Sequence, residues 1–440
     1  MEIGINVDSL QKVIKFHEKH HEKHHEKHHE KHHEKHHEKH HEKHDEKENN
    51  KNKINEKLKS TIVEYDFFVQ NQIDVCKIID KNILSYNKYG KFRYLTIQDY
   101  NIIKICESNK TPLENIIDIN LFDNKKYLIL KYKNIDIHAN LFIFSFINEE
   151  NKPLFWNLIH TYEHFFKNIL FLSENNIRLL DFSSKNLLYS SEDSCIYMKN
   201  FEKCYKNSKI SDFYHDYEKE ESNINEFIKI LDKIEYFGNK HFDLYFAKQI
   251  ISNKDLFVIL NNLDRIIDEY LNNLYFLKFF SEKVKKELVL KWKKNIKNNP
   301  VFNKNQNQNQ KQNISYIISS NNWKLYLCLF LKYSHSQTTI WETFSVNSLF
   351  LNISISFLKF FDIDGKNSIL HKYIQFLLKS LDIETKNDMI LNIEKYNIFM
   401  SYLEKDIDIN TIYNATILEN ISIEKQETLY NYLLNNIEFF

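Results

Sequence analysis

The chain has 440 residues, 42% hydrophobic and 15% aromatic, enough apolar surface for one large domain or two smaller ones around a sizeable core. Its 60 basic side chains balance 60 acidic ones, so no global positive excess points to nucleic acid as a partner. The five cysteines, Cys76, Cys106, Cys195, Cys204 and Cys328, form no CxxC pair and read as reduced thiols, and no apolar stretch reaches the roughly 18–20 residues of a membrane span, so an intracellular, soluble protein without a zinc knuckle is expected.

After a short leader, the unit His17-Glu18-Lys19-His20 repeats every four residues through His44, and 14 of the 21 histidines lie in it. A four-residue step turns a helix by about 400°, so each residue type drifts around the axis by about 40° per repeat. The tract has no apolar residue and no constant face, so residues 1–58 are expected to be a low-complexity tail, either coil or an exposed helix. Neutral imidazoles at three- and four-residue steps, beginning with His17, His20, His21 and His24, can chelate divalent transition metals. The alternative is a repeat expansion with no metal role.

Strand-like runs follow at Arg93–Ile97 and Ile116–Phe122, and the turn at Asp123–Lys126 leads the second of these into Tyr127–Tyr132 as an expected hairpin. Val75-Cys76-Lys77 reads in letters like a strand, yet Val69, Ile73, Cys76 and Ile79 are spaced for a helix, and the helical reading is favoured. Phe155, Leu158, Ile159, Tyr162, Phe165, Phe166, Ile169 and Leu172 then predict a long helix behind Pro153. Next come a short apolar run, Ile177–Leu180, a polar loop beginning at Asp181, and a compact hairpin: Asn186–Tyr189, a turn at Ser190–Ser194, and Cys195–Phe201. From Asn223 the pattern is helical. Residues 303–313, nearly pure Asn and Gln, read as a loop insertion. Helices resume at Asn322–Tyr333, Ile340–Phe361 and Ser368–Leu381, and 386–440 reads as a helical extension. The order predicts an α+β fold with a small mixed lobe and a large, mostly helical one. His160 and His164 lie four apart on the long helix, but Glu163 stands in the wrong place for a zinc-hydrolase pair, so a structural role is expected.

The chemistry-bearing stretch is Leu179-Leu180-Asp181-Phe182-Ser183-Ser184-Lys185-Asn186. An aspartate followed five positions later by an asparagine, after a long helix and before a tight hairpin, is the arrangement that phosphoryl transfer to a hydroxyl uses for a base and a magnesium ligand. The hairpin ends in Asn200-Phe201-Glu202. Further on, Trp341-Glu342-Thr343-Phe344-Ser345-Val346-Asn347 opens an apolar helix. With Val75–Ile79, Lys131-Tyr132, His241-Phe242-Asp243-Leu244 and Ile340–Leu351, these blocks resemble the divergent serine/threonine protein-kinase-like proteins of giant DNA viruses, over about residues 60–385.

The resemblance implies a protein-kinase-like bilobal fold, with a reduced N-lobe at about 60–137 and a C-lobe at about 138–385. It implies Asp181 as candidate base, Asn186 and Asn200 as a degenerate magnesium site, Lys77 as a weak candidate for the nucleotide lysine, and ATP with magnesium as the cofactors. The departures are large. With glycine only at positions 4, 90, 238 and 365, no glycine-rich loop exists. Ser183 stands where the supporting lysine would be, and Asn200 and Glu202 replace the metal aspartate and its glycine. The expected function is a catalytically impaired pseudokinase acting as a binding or regulatory scaffold toward a protein partner. The alternatives are a divergent active kinase and a non-enzymatic helical interaction protein. A virus-encoded origin would place it in the host-cell cytoplasm or the virion.

Overall fold

The computed structural model describes residues 58–82, 92–104, 126–133, 154–183, 186–190, 195–206, 221–235, 238–299, 301–302, 308–334, 340–360, 369–381 and 389–406. The His-rich repeat, with His17, His20, His21 and His24, lies outside them, as do the expected strand Ile116–Phe122 and the segment 407–440. The chain divides into two units, residues 1–73 with 95–136, and residues 74–94 with 137–440. Its architecture is α+β, mostly helical with small sheets. Among the described residues no helix is long and apolar enough to cross a membrane.

The first unit is built on a three-stranded antiparallel sheet in the order β1-β4-β3, from β1 (Leu58–Glu64), β3 (Ile97–Lys104) and β4 (Lys126–Lys133). β1 lies opposite β4 from Leu58↔Lys133 to Glu64↔Tyr127. β3 takes the other edge of β4, with a register shift between Ile97 and Asp99. Both edges of β4 are therefore occupied. β1 itself starts inside the stretch read as tail. Helix α1 (Phe67–Asn82) starts in this unit and continues into the second, with Val75, Cys76 and Ile79 buried and Lys77 exposed. The helical spacing of the apolar positions prevails over the strand-like letters.

The second unit opens its described core with α2 (Leu154–Glu174), whose Leu158, Ile159, Tyr162, Phe165, Phe166, Ile169 and Leu172 are all buried. Two small sheets follow. β2 (Phe92–Tyr94), β6 (Leu187–Ser190) and β7 (Cys195–Met198) form one, in the order β2-β7-β6. β5 (Arg178–Leu179) and β8 (Cys204–Tyr205) form the other. The helices that complete the unit are α3 (Glu221–Asp232), α4 (Phe242–Asn253), α5 (Leu256–Asn261), α6 (Leu263–Asn273), α7 (Glu282–Lys297), α8 (Gln308–Ser319), α9 (Trp323–Tyr333), α10 (Ile340–Phe360), α11 (Ile369–Ser380) and α12 (Met389–Asp406).

Local chemistry sets several boundaries. Asp255 caps α5 by accepting from the Phe257 and Val258 amides (3.0 and 3.1 Å), and Asn322 caps α9 by accepting from the Leu325 amide (3.1 Å). The second half of the Asn/Gln run is helical rather than loop. It forms the first turns of α8, which is anchored further along by buried Ile314 and Ile317. Gln tolerates a helix well, and no Gly or Pro interrupts residues 308–319.

α10 is the central element, buried from Ile340 through Phe357. Its polar residues are accommodated inside the helix and by neighbours: the Ser345 and Ser354 hydroxyls donate to the Trp341 and Phe350 carbonyls (3.0 and 2.7 Å), and Asn347 accepts from the Tyr162 hydroxyl of α2.

Candidate functional site

Strand register assembles the site. In the β6–β7 hairpin Leu187 faces Met198, so Asn186 is next to Lys199, and the Lys199 amide donates to the Asn186 carbonyl (2.8 Å). The chain returns Asn200 one step further, where its Nδ2 donates to Asn186 Oδ1 (3.2 Å). Asn186 Nδ2 in turn donates to the Asp181 carbonyl (2.7 Å). The β5–β8 pair sets Leu179 opposite Cys204, which carries Lys203 alongside the start of the Asp181 loop. Asp181, Asn186 and Asn200, five and then fourteen positions apart, thus form one constellation.

Asn200 holds a left-handed backbone (φ 62°, ψ 63°), ahead of a 3-10 turn at Phe201–Lys203. Asn is one of the few side-chain-bearing residues that enter this region at modest cost. Glu202, which stands where the resemblance would have a glycine, lies inside the 3-10 turn, and the left-handed residue is Asn200. Phe201 behind it is fully buried against Tyr94 (ring centroids 6.1 Å apart).

Two lysines close on the Asp181 carboxylate. Lys203 Nζ lies 2.9 Å from Oδ2, and Lys240 Nζ lies 3.3 Å from Oδ1. Lys240 is buried, and its ammonium also donates to the Phe182 carbonyl and to Asn239 Oδ1 (3.1 Å). Three acceptors match the three protons of an ammonium. Burial raises the Asp181 pKa, but Lys240 and Lys203 more than offset it and hold the carboxyl below its usual range. Burial pulls the Lys240 pKa down while Asp181 opposes the shift, and the contacts favour the ionised pair.

Neither lysine was found by reading the sequence. Lys203 follows the Asn200-Phe201-Glu202 block directly, but its role depends on the β5–β8 pairing. Lys240 precedes the His241–Leu244 block and comes from a different part of the unit. Both cations beside Asp181 come from outside its own loop. Lys77, the candidate nucleotide lysine, lies on the exposed side of α1 and on no strand.

The loop is tied to the core by a second cluster. Arg178 and Glu342 form a buried two-pronged ion pair, Nε to Oε1 at 2.7 Å and Nη2 to Oε2 at 2.9 Å. The Arg178 guanidinium also stands over the Trp341 ring, 5.5 Å from its centroid. Trp341 Nε1 donates to Asp243 Oδ2 (3.1 Å), and the His241 ring meets Phe344 edge-on at 5.4 Å. The apolar run Ile177–Leu180 that leads into the Asp181 loop and the blocks at 241–244 and 340–347 therefore meet in one place.

The open part of the site is a small pocket of about 250 Å3, counting the portion that opens to solvent, lined among others by Asp181, Asn186, Lys199, Asn200 and Lys203. The donor set does not suit magnesium. A hard divalent cation favours several oxygens, carboxylates first, whereas the single carboxylate here has a cation on each oxygen and Asn186 and Asn200 supply amides hydrogen-bonded to each other. Among the described residues no group of three or more His, Cys, Asp or Glu could hold a metal ion. Asp181 in this state is also a weak proton acceptor. No protein-family model matches the sequence, and no curated protein matches it.

Proposed function

We propose that the chain is a protein-kinase-like protein with a bilobal ancestry. More particularly, it is a degenerate one that has lost phosphoryl transfer and works as a binding or regulatory scaffold for a protein partner. The observation that carries this reading is the closure of both Asp181 oxygens by Lys203 and Lys240. A base must be free to accept a proton in the transition state, and a metal ligand must offer an oxygen to the cation.

The constellation of Asp181, Asn186 and Asn200, together with the junction of the three sequence blocks through Arg178, Glu342, Trp341 and Asp243, supports the kinase-like ancestry. The amide at position 200, the lack of a glycine-rich loop and the helical setting of Lys77 support the loss of catalysis. The test is a phosphoryl-transfer assay on the full chain with labelled ATP and either Mg2+ or Mn2+, with Asp181→Ala as background. The expected result is no transfer above that background. Autophosphorylation or substrate labelling that disappears in Asp181→Ala would overturn the reading.

A further inference from the structure

Helix α7 places little of itself inside the protein. Its buried side chains are Trp292, which meets Phe276 at 5.9 Å between ring centroids, and Ile296. On the opposite face Lys283, Lys286, Leu290, Lys294 and Lys297 follow one another at steps of three and four residues. All five are exposed, Leu290 to 67%. At 1.5 Å per residue they form a ridge about 20 Å long, with an apolar side chain at its middle.

The charges on this ridge are not consumed by the fold. Lys293 and Lys297 pair with Asp268 and Asp264 of α6. Lys283, Lys286 and Lys294 have no ion-pair partner among the described residues. Glu287 lies beside the ridge and Glu282 at its start, yet residues 263–297 together carry nine basic and five acidic side chains, in a chain whose total is balanced. Helix stability does not account for the lysines either. Lys283, Lys285 and Lys286 stand at the start of α7, where the helix dipole favours acidic side chains over cations. Lys283 with Lys286, and Lys294 with Lys297, are like charges three positions apart, which weaken a helix.

The geometry points to the exposed face of α7 as a surface that adsorbs to an anionic bilayer, with Lys283, Lys286 and Lys294 over acidic headgroups and Leu290 entering between them. A helix with lysines along its exposed face lies in the plane of a membrane interface, held by headgroup attraction and by the apolar area it buries. Such a contact is peripheral and needs no spanning helix. An acidic protein segment is met better by arginine, whose fork grips a carboxylate with two bonds, than by lysine point charges. Duplex DNA would draw on the lysines and leave Leu290 without a role. The inference stands apart from the scaffold reading, because it concerns another surface of the second unit and its test involves no ATP.

The test is co-sedimentation of the full chain with phosphatidylcholine vesicles, with and without phosphatidylserine, at about pH 8, where imidazoles are neutral. Binding is expected to the phosphatidylserine vesicles alone and is expected to fall as salt is raised. Lys286→Gln with Lys294→Gln is expected to weaken it about thirtyfold, at about fivefold per lysine. Lys229→Gln with Lys233→Gln removes the same charge from exposed positions on and just after α3, and is expected to leave binding unchanged. Leu290→Gln is expected to weaken binding about tenfold without changing its salt dependence.

Thermal unfolding of each variant shows that it is folded, so lost binding reports on the surface. No binding to phosphatidylserine vesicles, equal binding to phosphatidylcholine alone, or equal losses in the α7 and α3 double variants overturns the inference. Full affinity in the α7 double variant or in Leu290→Gln does the same. A DNA duplex or a polyglutamate peptide that binds this ridge more tightly than the vesicles do overturns the membrane assignment and gives the surface to nucleic acid or to an acidic protein.

Discussion

At the residue scale the protein turns on how one carboxylate is compensated. Asp181 is partly buried, and Lys240, buried beside it, keeps its charge because Asp181 faces it. Removing the carboxylate leaves the Lys240 ammonium inside the protein with only neutral oxygens. Asp181→Asn is therefore expected to destabilise the second unit by about 2–3 kcal/mol near neutral pH, less than the ~3–5 kcal/mol of a fully buried pair because Asp181 keeps some solvent. Asp181→Asn combined with Lys240→Met is expected to recover most of that loss, and urea denaturation of the three proteins checks it. The pH dependence follows from the direction of the shift. The folded carboxyl titrates below its ordinary value of 3.8, so its contribution is fully present above that value and is lost as pH falls through the lower, folded one. Wild type should therefore lose stability below about pH 4 more steeply than Asp181→Asn does. Parallel slopes in acid would show that the ion pair does not carry the stabilisation.

At the element scale, α10 organises the second unit, and the Arg178–Glu342 pair fastens the short strand β5 to its first turn. Both side chains are almost fully buried, so the pair adds little net stability as a unit but is costly to break. Arg178→Met is expected to cost about 3–5 kcal/mol, and Arg178→Met with Glu342→Leu to cost less than either single change, as chemical denaturation would report. The same elements show what a sequence discloses. α2, α9, α10 and α11 were legible because each repeats apolar residues at three- and four-residue steps over three or more turns. The β6–β7 hairpin was legible from two short apolar runs around a polar turn. β1 was not, because Leu58–Glu64 has only a brief apolar centre and becomes a strand through its pairing with β4, far away in sequence. The half-helical Asn/Gln run was hidden because its buried anchors, Ile314 and Ile317, lie beyond the polar letters. Likewise, Asp181, Asn186 and Asn200 could be grouped from their order along the chain. Lys203 and Lys240 could not, since their contacts depend on a two-residue strand pair and on the packing of the segment ahead of α4.

At the scale of the whole molecule, the question is where the folded second unit ends. Reading the sequence separates an extension at 386, yet α12 is built into the core of that unit. The Tyr396 hydroxyl donates to the Ile159 carbonyl of α2 (3.2 Å), and its ring lies 5.6 Å from that of Tyr162. Phe399 stacks on Phe376 of α11 at 4.8 Å and tilts against Tyr373 at 6.1 Å. Tyr162 also reaches Asn347 of α10, so the cluster that α12 covers is continuous with the central helix that holds Glu342 and, through it, the Asp181 loop. Deleting residues 386–440 would uncover the Tyr162, Tyr373 and Phe376 rings. At about 25 cal/mol per Å2 of apolar surface, and with ring contacts worth about 0.5–1.5 kcal/mol each, the loss is on the order of 5 kcal/mol. A chain ending at Thr385 is therefore expected to unfold at a clearly lower urea concentration than the full chain, and to bind a hydrophobic dye that the full chain does not. An unchanged midpoint with no dye binding would mean that the unit is complete without α12, and that 386–440 is the separable extension the sequence suggests. A lowered midpoint would make the C-terminal helix part of the scaffold that holds the candidate site, and a partner that displaced α12 would then reach Asp181 through the packing of α2, α10 and β5.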